Sequence, residues 1–427
     1  MGTAVPDHVW MPAKHLRDVP VAGMTKVAAE AVAHGFTPED PSWINLGQGQ
    51  PEIGAIPGAP PRITQIDLSP GDHAYGPVNG VAALREAVAG YYNRRYRAGR
   101  RSQYEATNVA IVGGGRPALG RAVAALGHVD VGYLRPDYSA YEDLLNRNAP
   151  RIRPVGLTMS RPADLLGAAT ASGVPALLLS NPRNPTGDVL AGDDLEALVV
   201  GATAAGCALL VDEFYSHYVY DVGPEGRSRP AAGPVSAAAY VDDVARDPVV
   251  LFDGLTKNFR YPGWRLGWIV GPVETIAVIE RVGQALDGGP SKVVQRAALA
   301  ALEPGYADAE TTAVRAHFAT KRNVMVDGLR TAGIDVPTSA GGMRGTFYIW
   351  GSLARLPEPL RDGDSFFRAA LAHRVITVPG RVFDLNPGGQ RTDDGAFDGY
   401  VRFSYGPPAD AIADGVARLR AMADSYR

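Results

Sequence analysis

From Asn108 onward, short apolar runs alternate with stretches of helical periodicity. Residues 109–112, 132–134, 176–180, 208–212, 249–253 and 266–270 read as strands, being short, apolar and bounded by turn residues. Residues 119–126, 140–146, 195–205 and 274–285 read as helices between them. Alternating β and α at these lengths predicts an α/β fold, a mostly parallel sheet covered by helices on both faces. Upstream, the stretch 81–97 places Leu84, Val88, Tyr91 and Tyr92 on one helical stripe, with Arg85 and Glu86 outside it. Residues 1–40 read as an irregular arm with a helix over 21–33, residues 44–46 as an extended segment, and residues 47–58 as turns. After helices at 293–302 and 313–331, three strands (347–350, 375–378 and 401–404) and helices at 365–373 and 411–426 predict a smaller α+β domain. The expected division is 1–60 for the arm and part of the small domain, 61–303 for the large domain, and 304–427 for the small C-terminal domain.

Composition narrows the function classes. The 427 residues carry 42 Lys+Arg against 45 Asp+Glu, a net charge of −3. No basic excess is available to neutralise phosphates, which argues against nucleic-acid binding. A single cysteine, Cys207, excludes an internal disulfide and a cysteine-based zinc site, and no metal is expected. No apolar run approaches the roughly 18 residues of a membrane span, and no signal pattern opens the chain, so no membrane association and a cytoplasmic location are expected. Lysine occurs only at 14, 26, 257, 292 and 321. A lysine needed for chemistry therefore has few places to be.

In a doubly wound sheet, ligands sit where strand ends meet helix N-termini. Four strand ends carry suitable chemistry. Gly113-Gly114-Gly115-Arg116-Pro117 is a glycine turn opening a helix, whose bare N–H groups and dipole form an anion cradle. It lacks both the Walker pattern and the dinucleotide spacing of glycines. Asn181-Pro182-Arg183-Asn184-Pro185-Thr186-Gly187 is a proline-fixed loop offering the Asn184 amide, or simply a rigid turn. Asp212 closes an apolar strand, where a buried carboxylate needs a cationic partner, and Tyr215 follows three residues later. The alternative is an ordinary helix-capping Asp. The fourth end is Asp253-Gly254-Leu255-Thr256-Lys257-Asn258, with Arg265 eight residues beyond the lysine. Burial there lowers a lysine pKa and suits Schiff-base chemistry, while an isolated lysine more often lies on the surface.

Together these four segments resemble the cofactor site of fold-type I pyridoxal-phosphate-dependent enzymes, specifically the class I/II aminotransferase family. The resemblance runs from about residue 40 to the C-terminus and implies an aspartate-aminotransferase-like fold with 61–303 as the cofactor-binding domain. It implies pyridoxal 5'-phosphate (PLP) as cofactor, Lys257 as the Schiff-base lysine and proton shuttle, and Asp212 facing the pyridine nitrogen. Asn184 and Tyr215 would meet the phenolic oxygen, and Tyr138 would stack on the ring. Gly114, Gly115, Arg116, Thr256 and Arg265 would hold the phosphate. Arg402, in Val401-Arg402-Phe403-Ser404, would grip the substrate carboxylate beneath the loop containing Gly49, with Asn184 alongside. Tyr75 matches a tyrosine that reaches the neighbouring subunit's phosphate, implying a homodimer.

Three departures from the family pattern lie near the phosphate and the mouth. Gly254 stands where a hydroxyl residue is usual, a loss of roughly 1–2 kcal/mol of phosphate grip. Segment 341–347 is longer than usual, and Tyr261-Pro262 replaces small residues. The expected activity is transfer of the amino group of an α-amino acid to a 2-oxo acid. The alternative is elimination, replacement, cyclisation or oxidation of an amino acid in specialised metabolism. A PLP-sensing regulator is disfavoured, because only about forty residues precede the fold and they carry no basic helical pair. For the substrate side chain, Arg116, Arg183 and Arg344 are candidates to meet an anionic tail, and Tyr75, Tyr138 and Phe347 an apolar one.

Overall fold

Seven strands form the central sheet, side by side in the order Val109–Val112, Gly267–Val270, Val249–Gly254, Ala208–Asp212, Ala176–Ser180, Val129–Leu134 and Ile152–Leu157. Only Gly267–Val270 runs against its neighbours. This is a computed structural model, and it describes residues 21–157, 164–223, 225–336, 344–392 and 395–427. The arm expected over 1–40 therefore lies partly outside the described residues, as do the first three residues of the long 341–347 segment.

The strands read as unbroken apolar runs because both faces are covered. Leu178, Leu210, Val250, Phe252 and Ile269 pack into one apolar cluster. Their alternates Leu177, Leu179, Leu209, Val211 and Leu251 pack into the other, as the period of two requires. The strand Ile152–Leu157 was absent from the sequence reading. Pro154 interrupts its apolar pattern, and proline is tolerated at a sheet edge, which is where this strand lies. The helix Leu165–Ser172 was likewise not anticipated.

A second sheet of Tyr348–Ser352, Tyr400–Ser404 and Val378–Pro379 is antiparallel. The strand expected over 375–378 is divided: Val375–Ile376 pairs instead with Ile44–Asn45, in parallel. Residues just before the cleft are thereby stitched to the C-terminal part of the chain. The helix expected from 313 begins at Pro304 and runs to Thr331. Proline suits the first helical turn, and the Glu303 side chain caps it by accepting from the Tyr306 N–H. Among the described residues no helix is long and apolar enough to cross a membrane.

Candidate active site

The carboxyl ends of the central strands open on a cleft of about 440 Å³. At its floor, Gly114 turns the chain with φ 105° into the helix Gly115–Ala125, whose N-terminus no side chain caps. A Cβ on Gly114 would lie 2.9 Å from Arg265 Nη2, so the glycine admits that guanidinium against the helix start. Arg265 leaves its own turn at φ 49° and donates to Pro262 O at 3.0 Å. Beside it the buried Thr256 hydroxyl has no hydrogen-bond partner. Bare helix N–H groups, an arginine and an orphaned hydroxyl converge as an anion site.

Lys257 enters the cleft from the loop after Val249–Gly254, and its Nζ donates to Gly49 O. Burial, then the Arg265 and Arg402 guanidiniums, bring its pKa from 10.5 down to about 7, against the pull of Asp212. Asp212 is buried at the end of its strand. It accepts from Tyr141 OH at 2.9 Å and from the Phe214 N–H at 3.3 Å. Burial pushes its carboxyl up to about 6, with those two donors holding it back. Among the described residues no lysine or arginine forms an ion pair with it, and the Lys257 charge acts on it only as the last of the influences holding its pKa down.

On the far wall Tyr215 OH meets Tyr348 OH at 2.8 Å. Arg402 is buried between two rings, its guanidinium carbon 4.1 Å from the Tyr348 centroid and 4.8 Å from that of Phe383. Its Nη1 donates to Asn184 Oδ1 at 3.0 Å and its Nη2 to Gly47 O at 2.7 Å, while Nε is buried without a partner. Gly49, Asn184 and Arg402 line the same cleft. Tyr138 also lines the cleft, its N–H fixed by Asp137 Oδ1 at 2.7 Å. The Arg116 side chain reaches the mouth beside the Tyr138 hydroxyl, which helps raise the arginine's pKa.

Two of the anticipated substrate arginines lie elsewhere. Arg183 is buried and tied to Asp188 and Thr186. Arg344 does not line the cleft, nor does Phe347, which packs edge-on against Tyr215 and Tyr218 and at a tilt against Phe318. Tyr75 is fully exposed and outside the cleft of its own chain. Sequence reasoning missed Tyr141 and Tyr348. Tyr141 lies in the first turn of the helix Ala140–Asn148, its N–H bonded to Tyr138 O at 2.9 Å, so it follows the tyrosine expected to stack on the ring by a single turn of chain. Tyr348 follows Phe347, and of that pair only the tyrosine can offer a hydroxyl to a polar wall.

The departure at Gly254 has a steric cause. A Cβ there would stand 2.5 Å from Gly267 Cα and 2.6 Å from Leu266 O. The Phe214 ring fills the remaining space, 2.8 Å from where a Gly115 Cβ would be and 3.3 Å from that of Gly267. Three glycines thus form the slot for one phenyl ring, and a hydroxyl side chain at 254 has no room. Tyr261 is a structural anchor: it stacks on Trp264 at 3.9 Å and its OH meets Tyr306 OH at 2.6 Å.

These residues fit the cofactor implied by the resemblance. The orphaned Thr256 hydroxyl and open helix start suit a phosphate, the buried Asp212 lacks only a cation, and Lys257 is a weakly basic amine. Comparisons with known proteins agree. The family description "Aminotransferase class I and II" matches residues 41–419. The chain is 29% identical to a probable N-succinyldiaminopimelate aminotransferase of Mycobacterium tuberculosis, over 89% of this chain and 92% of that one. It is 28% identical to an LL-diaminopimelate aminotransferase of Gloeobacter violaceus, over 92% of each. The solved aspartate aminotransferase of Thermus thermophilus with maleate superposes with a TM-score of 0.74 at 22% identity, covering 95% of this chain and all of that one.

Proposed function

The chain belongs to the class I and II aminotransferases, PLP-dependent transferases, and from that premise we propose that it moves the amino group of an α-amino acid to a 2-oxo acid with Lys257 as the Schiff-base lysine. The observation that carries this reading is the cleft itself. It joins an amine with a pKa near 7, a buried acid, an anion cradle and a second arginine with an unpartnered donor.

When bound, PLP supplies a sink for the electrons left behind when the substrate Cα loses its proton. The chain's residues do the rest. Lys257 would hold the cofactor through its amine and would move the substrate Cα proton, a task suited to a pKa near the working pH. Asp212, oriented by Tyr141, keeps a proton on the ring nitrogen. Tyr215 and Asn184 donate to the phenolic oxygen, and Tyr138 covers the ring face. Gly114, Gly115 and Arg116 N–H groups with Thr256 and Arg265 hold the phosphate. Arg402 binds the substrate carboxylate, with Asn184 and the loop of Gly49 fixing its orientation.

Tyr75, exposed on a single chain, is assigned to the neighbouring subunit's phosphate in a homodimer. Arg116, the one anticipated substrate arginine on the cleft wall, is assigned to an anionic substrate tail. The cofactor unit is taken as 61–303, completed by 1–60 and 304–427. Elimination, replacement, cyclisation or oxidation would begin at the same proton, but the curated relatives reported above are named as aminotransferases, which favours transfer.

A rapid-scan absorbance titration with a panel of amino acids tests the reading. The visible band of lysine-bound cofactor should give way to the near-ultraviolet band of pyridoxamine phosphate, and return on adding a 2-oxo acid. Release of ammonia or of a leaving group without pyridoxamine phosphate would replace transfer by the alternative chemistry. No visible band after adding PLP, or a band equally present in Lys257→Ala, would overturn the assignment of the lysine.

A further inference from the structure

Residues 47–54 cross the top of the cleft without regular structure, yet they bear two of its contacts. Gly47 O accepts from Arg402 Nη2, and Gly49 O accepts from Lys257 Nζ. An irregular segment keeps carbonyls in place only if something fastens it. Here the fastening is charged and gathers on the long helix Pro304–Thr331.

Glu52 Oε2 accepts from Lys321 Nζ at 2.8 Å and meets His317 Nε2 at 2.9 Å. Lys321 is one of the chain's five lysines and is 1% exposed. It also donates to Gly406 O at 2.9 Å and lies 4.5 Å from the Phe318 ring centroid. Gly406 follows the strand that bears Arg402, and a Cβ there would meet Gln50 O at 2.2 Å. One ammonium therefore ties the cleft segment to the exit of the arginine's strand. From the other side Arg260 Nη1 donates to the carbonyls of Glu52 and Gly54 at 2.9 and 2.6 Å. Arg260 is fully buried and paired with Glu310, about two turns before His317 on the same helix. Arg62 braces that pair, donating to Glu310 Oε1 at 3.1 Å and to Arg260 O at 2.7 Å. The hydrogen bond from His317, and next that from Lys321, bring the Glu52 carboxyl down to about 2. It is an anion at any working pH.

We propose that Glu52 is a positioning residue for substrate binding: held by Lys321, His317 and Arg260, it fixes residues 47–54 so that Arg402 is aimed for the substrate carboxylate. The proposal rests on the aminotransferase reading, and it adds a group that touches neither substrate nor cofactor. Burying a lysine and an arginine against one short segment is costly unless the partners are held in good geometry. The return is a carboxylate grip that does not have to be ordered each time substrate arrives.

The test uses holoenzyme and two probes. One is the 2-methyl form of the best amino donor, whose Cα carries no proton and which therefore binds without turnover. The other is the amine that results when this compound lacks its carboxylate. Dissociation constants are read from the change in the cofactor's visible band. In Glu52→Gln the carboxylate-bearing probe should weaken between about tenfold and a hundredfold, as expected for a small misplacement of a binding group, while the amine is unchanged. Because Glu52→Gln strands a buried lysine, His317→Gln is made in parallel; it leaves the Lys321–Glu52 pair in place and should weaken the same probe in the same selective manner by a smaller factor. Selective loss in either folded variant supports the proposal. Unchanged binding, or equal loss for both probes, overturns it. Failure of the aminotransferase reading is seen separately, as absence of any response to amino acids in the unaltered enzyme.

Discussion

Arg402, on the small antiparallel sheet, and Asn184, in the loop after a central strand, meet at 3.0 Å, and Arg402 Nε stays buried with no partner. A guanidinium so held has a donor ready for a carboxylate. Arg402→Lys keeps the charge and loses the planar fork. The expected loss is about 1.5–3 kcal/mol, the value of a hydrogen bond to a charged group. That is roughly a 10- to 150-fold fall in kcat/KM. Cofactor content, read from the visible band, should not change.

Lys257 has a pKa near 7 before cofactor binds. Between about 7 and its ordinary 10.5, the unfolded chain holds a proton that the folded chain has released. The cofactor-free protein should therefore gain stability as pH rises through that window, and lose that gain as pH falls toward 7. The neutral amine is the nucleophile, so the rate at which added PLP develops its visible band should reach half its maximum near pH 7. In Arg265→Met the midpoint should move upward, because Arg265 is one of the cations lowering it. A midpoint near 10 in the unaltered protein would contradict the burial argument.

Thr256 carries a buried hydroxyl with no partner. Thr256→Val keeps the shape and removes the orphan. The cofactor-free protein should melt no lower than the parent. PLP affinity should weaken by about 1.5–3 kcal/mol if the hydroxyl serves the phosphate. Calorimetry of the free protein and a fluorescence titration with PLP separate the two effects.

Gly254 is hemmed in by Gly267, Leu266 and Phe214. Restoring the family's usual hydroxyl with Gly254→Ser should destabilise the fold by about 1–3 kcal/mol, the range for overpacking, instead of tightening phosphate binding. Denaturant titrations measure it. Adding Phe214→Leu should recover only part of the loss, since backbone atoms of 266 and 267 also crowd the site.

Arg116 stands at the cleft mouth beside Tyr138. Arg116→Met should raise KM for amino donors with an anionic side chain by about tenfold and leave neutral donors within about twofold, one lost charge-assisted contact being the cause. Parallel steady-state assays with one donor of each kind decide it.

Much of this arrangement was legible in the chain because it lies at strand ends. Asp212, Lys257 and the 113–117 turn each follow an apolar run whose length and branching announce a buried strand, and a rare lysine there is conspicuous. What stayed hidden depends on contacts that no local pattern encodes. The edge strand Ile152–Leu157 was masked by its own proline. Tyr348 could not be told from Phe347 until the partner strand placed one at the cleft wall and the other among Tyr218 and Phe318. Gly254 read as a missing donor, and its reason lies thirteen residues later in a strand that passes against it. Of the three arginines considered for the substrate tail, Arg183 was removed by a local partner, Asp188, five positions away.

The antiparallel strand Gly267–Val270 is bonded to Val109–Val112 on one side and to Val249–Gly254 on the other. It is the seam between the glycine turn and the lysine loop. During synthesis neither half of the anion cradle can find the other until this seam has left the ribosome, since non-local pairing must wait for its last strand. Once it has, the chain's own glycine turn, Arg265 and Lys257 have all been made while Arg402 is still untranslated. The groups assigned to the cofactor thus precede, in the order of synthesis, the arginine assigned to the substrate carboxylate.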